Sequence, residues 1–408
     1  MAAVIFANCA VLDGTRNERR EDHHVLVENG RIREVSDRPL DSAAAEIIDL
    51  RGHTLMPGLI DAHVHVVAVD PVLARLAEQP ASRVALQAAK VLEDMLQRGF
   101  TTIRDAGGAD GGLAEAVEEG LVRGPRLFPS GRALSQTGGH GDLRPRTRSV
   151  VTCACCEEGA GLARIADGVA ECRRAARDEL RKGATQIKIM ASGGVASPYD
   201  PVWNLQYSEE EVRAIVEEAR AWHTYVMAHA YSAEAIRRSI DFGVRSIEHA
   251  NLIDRETAAH VAGAGAFVVP TLVTYDAMHR FGRELGFPEV SLQKLGDVRE
   301  AGLRSLEILQ GAGVKIGFGT DLLGPMHRHQ SREFMIRAEA MRPFDIIRSA
   351  TIVNAELLNR AGEIGVVAPG ARADLIALDG DPLADISVLD GQGERLSHIM
   401  KDGVFHKR

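Results

Sequence analysis

Apolar and polar positions follow two rhythms along this chain. Residues 1 to about 57 read as short strands broken by turn residues: "AVIFANCAVLDG", "HHVLVENGRIREV" with an Asn-Gly hairpin signal, and "AEIIDLRGHTLMPG". The far end repeats the style in "GVVAPGARADLIALDGDP" and "HIMKDGVFHKR". Neither end alone has enough strands to bury a sheet, so the two termini are expected to pair into one small β-sandwich.

From about 59 to 361, strand-like runs alternate with amphipathic helical stretches. The strands are "LIDAHVHV", "FTTIRDAG", "RLFPSG", "QIKIMAS", "TYVMAHAY", "SIEHAN", "AFVVPTL" and "VKIGFGTD"; the helices include "ASRVALQAAKVLEDMLQRG" and "SEEEVRAIVEEARAWH", the latter with a Ser208 cap and an acidic first turn. Eight such runs separated by helices predict an α/β fold, a (β/α)8 TIM barrel. The expected division is a composite β-sandwich domain of 1–58 plus 362–408 around a barrel of 59–361.

Composition narrows the function classes. The 408 residues carry a net charge of -9 with both signs interspersed, so no basic stripe would track phosphates and nucleic acid is excluded as a partner. No apolar run approaches the roughly 20 residues of a membrane span, and no signal-type segment opens the chain, which predicts a cytoplasmic protein with no membrane partner. The five cysteines are an odd number in a large chain and argue against a disulfide framework. Cys153 and Cys156 have CxxC spacing, with Cys155 between them, but no second pair completes a zinc knuckle; the stretch reads as a plain loop.

Catalytic groups of such a barrel sit where its strands finish. His63 and His65 in the first strand, Lys188 in "QIKIM", His229 in "VMAHAY", His249 in "SIEHA" and Asp321 in "GFGTD" all fall in or at the end of predicted strands. Residues two apart on a strand point the same way, so His63 and His65 face the interior together and can reach one metal. Any single one reads better as a hydrogen-bonded core histidine; four, with an aspartate, do not. Lys188 between two isoleucines would bury an ammonium, and desolvation lowers the pKa of such an amine. The neutral amine can take up carbon dioxide, and the carbamate offers two anionic oxygens to bridge cations about 3.5–4 Å apart. The alternative is a lysine paired with Asp61 or Asp105.

The ordered set "HVH", strand lysine, two strand histidines and "GTD" resembles the binuclear metal-dependent amidohydrolase superfamily over almost the whole chain, split sandwich included. "TIRDAGG", "SGRALSQTGGHGD", "IKIMASGGVASP", "AHAYSAEAI", "SIEHANLID" and "PTLVTYDA" further resemble the imidazolonepropionase-related prolidases, Xaa-Pro dipeptidases close to enzymes that cleave N-acyl amino acids, Xaa-Arg or Xaa-Lys dipeptides and ochratoxin A. The resemblance implies two zinc ions per chain: His63, His65 and Asp321 on the more buried one, His229 and His249 on the more exposed one, and N6-carboxylated Lys188 between them. Manganese or cobalt would suit the same donors.

Two cations sharing a water lower its pKa from 15.7 to roughly 7. Asp321 would take the proton as that water attacks the amide and return it to the leaving nitrogen. Tyr231 is a candidate oxyanion donor and His140, in a Gly-rich loop, a candidate contact for the oxyanion or a substrate carboxylate, with Arg144 and Arg146 weaker choices. The glycines of "ASGGVASP" could offer backbone N–H groups, and His327 and His329 are candidates for the mouth of the site. The substrate is then a small molecule, a dipeptide or N-acyl amino acid. A deaminase or cyclic amidase of the same superfamily and a barrel kept only as a scaffold are the alternatives. The resemblance also implies a homo-oligomer, up to an octamer.

Overall fold

Where period and end signals agree, the elements form as read. "SEEEVRAIVEEARAWH" folds as a helix over Glu209–Ala221, and Ser208 and Glu211 close a reciprocal capping box at its start, which satisfies two backbone N–H groups that a helix end leaves open. The computed structural model describes residues 3–42, 45–147 and 161–408. The Cys153, Cys155 and Cys156 stretch lies outside them.

The chain begins with β1 (Val4–Val11), β2 (Arg20–Glu28), β3 (Arg31–Ser36), β4 (Glu46–Asp49) and β5 (His53–Pro57). It then runs through β6 (Leu59–Val64), β7 (Phe100–Asp105), β8 (Arg126–Phe128), β9 (Ala133–Ser135), β10 (Ala163–Ile165), β11 (Ile187–Met190), β12 (Val226–Ser232), β13 (Ser246–Leu252), β14 (Phe267–Val269) and β15 (Lys315–Ile316). The last strands are β16 (Leu375–Asp379), β17 (Leu396–Lys401) and β18 (Val404–Lys407).

The two termini share one mixed sheet in the order β18-β17-β16-β5-β1-β2-β3. One edge of β1 forks, pairing with β4 along Val4–Ala7 and with β5 at Ala10 and Val11. Antiparallel pairing of β16 with β5, from Leu375 opposite Pro57 to Asp379 opposite His53, knits the chain ends together. Their apolar faces bury a core of their own around Phe6, Val25, Leu55 and Met400. Arg126 of β8 fastens the sheet to the barrel through Asp402 at 2.6 Å.

All the strands from β6 to β15 pair in parallel, and a ring of helices covers them, as in a TIM barrel. The ring closes where Ala62 N–H donates to the Phe318 carbonyl and Asp321 N–H to that of His63, each at 2.8 Å. Two strands differ from their sequence pattern. The third is split, because Pro129 has no N–H and Gly131 turns with a φ of 66°; β8 pairs with β7 and β9 with β11. The eighth is regular only over Lys315–Ile316, and Gly319 beyond it lies so close to β6 that a Cβ would stand 2.8 Å from that of His63. Among the described residues no helix is long and apolar enough to cross a membrane.

Candidate metal centre and active site

The first barrel strand sets the geometry. His63 and His65, on and just past β6, both face the interior with ring centroids 5.4 Å apart. Each is fixed through Nδ1: that of His63 lies 2.6 Å from Glu248 Oε2, and that of His65 lies 2.9 Å from the Gly107 carbonyl oxygen. Both Nε2 atoms are thereby turned toward Asp321, whose Oδ1 stands 3.5 Å from His63 and 3.2 Å from His65.

Opposite them, His229 Nε2 meets the Gly193 carbonyl oxygen at 3.1 Å and His249 Nδ1 meets Thr271 Oγ1 at 2.8 Å, with the two rings 4.7 Å apart. Strand alternation would send Glu248 and His249 to opposite faces. They share the interior because His249 and Ala250 take φ values of 75° and 56°, beside an irregularity in the β12–β13 pairing. Asp321, with a φ of 53°, turns toward the histidines while its neighbour Thr320 donates to Asp61 at 2.6 Å. Such left-handed φ values cost non-glycine residues energy and gather at functional sites.

Lys188 on β11 is 1% exposed. Burial lowers its pKa to about 8, against the opposing pull of Glu248 and Asp321. The lysine forms no ion pair among the described residues. Asp61 is held by Thr320 and Gln330, and Asp105 by the N–H groups of Val66, Gly107 and Ala109, so neither serves as the partner that the alternative reading requires.

His63, His65, Lys188, His229, His249 and Asp321 line a single cavity together with His140 and Tyr231. The metal-binding atoms that His63, His249 and Asp321 can offer lie within 4.8 Å of one another. Among the described residues, buried His63 Nε2 has no hydrogen-bond partner, an arrangement that normally calls for an absent one. Burial holds His229 and His249 well below the usual histidine pKa, which leaves their lone pairs free. Burial opposes ionisation of Asp321, but His63 and His65 outweigh it and hold the carboxyl well below its usual range. Neutral imidazoles and a carboxylate aimed at one point fit a divalent cation.

The profile of the Amidohydrolase family matches residues 54–404. The chain belongs to the amidohydrolase family. It is similar over its whole length to the crystal structure of a prolidase complexed with N-methylphosphonate-L-proline, with 54% identity and a TM-score of 0.98 over 100% of each chain. The ochratoxinase of Aspergillus niger is 35% identical over 366 residues, 86% of this chain and 75% of that protein. The imidazolonepropionase of Deinococcus radiodurans is 27% identical over 400 residues, 90% of this chain and 88% of that one. This amidohydrolase is therefore a hydrolase of amide C–N bonds, in the branch its motifs resemble.

Other expectations for this amidohydrolase meet different outcomes. His140 does reach the cavity, stacked on His229 at 4.2 Å, with Nδ1 held by Ser197 Oγ at 3.0 Å and Asp200 Oδ2 at 3.1 Å. The Tyr231 hydroxyl is 2.9 Å from that of Tyr275. Arg144 and Arg146 are not in the cavity wall: the first is clamped by Asp142 at 2.6 Å and the second lies over the Tyr199 ring. His327 and His329 are likewise absent from the wall; His329 stacks on Phe281. The N–H groups of Gly193 and Gly194 are taken by the Asn204 carbonyl and Asp200 Oδ2 and do not await a ligand.

Four side chains that order the site escape sequence reasoning: Glu248, Arg104, Thr271 and Asp200. For the first two a signal exists, since "SIEHA" and "TIRDA" each place a charge in an apolar strand run. Arg104 donates to Glu248 at 2.9 Å and to the Ala62 carbonyl at 2.6 Å. Burial opposes ionisation of Glu248, but Arg104 and His63 hold its pKa at about 2, so the carboxylate fixes His63 with its proton on Nδ1.

Proposed function

We propose that this amidohydrolase is a binuclear zinc-dependent Xaa-Pro dipeptidase, acting on small dipeptides and N-acyl amino acids. The observation that carries the reading is the convergence of six side chains, His63, Lys188, His229 and His249 within strands and His65 and Asp321 beyond strand ends, on one cavity with an unsatisfied His63 Nε2. His63, His65 and Asp321 would hold the more buried ion, His229 and His249 the other, and carboxylated Lys188 would bridge them. When bound, such a pair supplies an activated water and a Lewis acid for the amide carbonyl.

The chain's own groups do the rest. Asp321 takes the proton of the attacking water and returns it to the leaving nitrogen. Tyr231, steadied by Tyr275, stands in the wall as a hydrogen-bond donor for the carbonyl oxygen or the free carboxylate, and His140, whose Nδ1–H is given to Asp200, donates there from Nε2 as the imidazolium. Apolar residues such as Leu73, Leu162, Val195 and Met278 close the remainder and exclude water.

The choice of Xaa-Pro rests on the full-length likeness to a prolidase that binds a proline phosphonate. An ochratoxin-type amide is the second reading, favoured by the 35% identity to ochratoxinase. The reading includes a cytoplasmic homo-oligomer; light scattering of the purified protein tests the assembly, and cell fractionation tests the location. Steady-state hydrolysis of a dipeptide and N-acyl amino acid library with ochratoxin A included, alongside metal analysis, tests the rest. Cleavage of Xaa-Pro with about two metals per chain supports it; a single metal, or preference for another amide, overturns it.

A further inference from the structure

We propose that Lys294 is a positioning residue, a single ammonium that sets the shape of the 193–200 loop and through it two sides of the active-site cavity. Lys294 lies on the long outer helix Glu289–Gly311 and does not line the cavity. Its Nζ donates to the carbonyl oxygens of Gly194 at 3.0 Å, Ser197 at 2.9 Å and Asp200. An ammonium has three donors and no acceptor, so three carbonyls gathered at one point match it fully. The carbonyls come from a stretch of seven residues that is neither helix nor strand, and the three bonds tie that stretch to the outer helix beside the bonds donated by the N–H groups of Gly193 and Gly194.

What the loop carries gives the anchor its consequence. The Gly193 carbonyl orients His229. Gly194 lies flat under His140, where a Cβ would stand 2.2 Å from the ring. Ser197 and Asp200 grip His140 Nδ1, and Val195, Ala196 and Ser197 form the wall itself. Every one of these groups lies within the segment that Lys294 closes or one residue before it. Misplacing the loop would therefore shift His140 and the wall together, and a shift of about 1 Å in such groups can cost 10²-fold.

The inference rests on the proposed dipeptidase activity only for its kinetic arm. Trp203 lies three residues beyond Asp200 and is 73% exposed, and the only other tryptophan, Trp222, caps the C-terminal end of the helix Glu209–Ala221. In a Trp222→Phe background, Trp203 fluorescence anisotropy reports the order of the loop whether or not any amide is cleaved. Lys294→Met, which keeps all but the last atom of the side chain and removes the donors, is expected to lower that anisotropy while the thermal unfolding midpoint of the barrel holds. In Lys294→Ala, millimolar ethylammonium is expected to restore it. On the best Xaa-Pro substrate KM should rise about tenfold with kcat changed less, because the wall and His140 shape the bound state. Unchanged Trp203 anisotropy in Lys294→Met, or an unchanged KM in an active enzyme, overturns the role. If Lys294→Met does not fold, the amine response of Lys294→Ala decides, and its absence overturns the role. A parent enzyme that cleaves no amide would defeat the proposed function and leave the anisotropy and rescue measurements to decide on Lys294.

Discussion

Glu248 and Arg104 form an ion pair with neither side chain exposed to solvent, the carboxylate 2.9 Å from the guanidinium. The pair does two things at once. It neutralises two charges that the barrel interior could not hold singly, and it steadies Oε2, which accepts from Arg104 at 3.0 Å and also fixes His63. Removing one partner strands the other charge, so Glu248→Gln is expected to lower unfolding stability by about 3–5 kcal/mol. The double change Arg104→Met with Glu248→Gln should recover most of that loss, since no charge is left unpaired. Urea unfolding of the three proteins checks this; equal losses in the single and double variants would show that the pair is not what the core depends on.

Lys188 leads to a prediction with a chemical rescue. Lys188→Ala is expected to lose turnover and to retain about one metal in place of two, because the proposed bridge supplies both anionic oxygens. A small carboxylate such as acetate or propionate fits the space vacated and brings two oxygens back, so part of the rate should return with its concentration. Metal analysis and rate measurements with and without the added acid check both halves. Full activity with two bound metals in Lys188→Ala would remove the carbamate from the scheme.

How far the site is legible in the sequence depends on how each residue is placed. The barrel strands announce themselves because a parallel sheet buried on both faces needs continuous apolar runs, and polar residues inside those runs stand out. His63 and His65 follow directly from strand alternation. Glu248 does not, because alternation puts it opposite His249, and only the φ of 75° at His249 brings the two to one side. Asp200, Thr271 and Lys294 act from loops and helices remote in sequence, and no spacing rule connects Lys294 with Gly194 one hundred residues away. Arg144 and Arg146 mislead for the opposite reason: a charged loop residue near a catalytic segment can as easily be satisfied by a local acid or ring, as both are here.

The terminal sheet gives a pH dependence. Burial, aided by Lys401 and Arg123, lowers the pKa of His406 on β18 from 6.5 to about 4. The unfolded chain therefore binds the proton first as the pH falls, and the stability His406 contributes is full above 6.5 and is lost toward 4. His406→Gln should flatten the fall in the unfolding midpoint over that window without abolishing it, because His398, also depressed by burial, titrates in the same direction. Midpoints measured across the window for both proteins check the sign. A variant as acid-sensitive as the parent would place the titrating group elsewhere.

Asp321 separates binding from proton transfer. Its Oδ1 faces His63 and His65 at 3.5 and 3.2 Å, and the neighbouring histidines keep it ionised despite burial. Asp321→Asn preserves the shape and one oxygen that can still ligate a cation, but an amide cannot accept and return a proton near neutral pH. The variant should fold and keep much of its metal, while kcat falls by roughly 10²–10⁴, the usual contribution of a positioned acid–base group. If Asp321 acted only as a ligand, bound metal and rate would fall in proportion, and loading the variant with excess zinc would restore both. Metal content and kcat measured on the same preparations, before and after zinc loading, distinguish the two cases: a low rate at full occupancy supports the proton-transfer role, and a rate that recovers with metal refutes it.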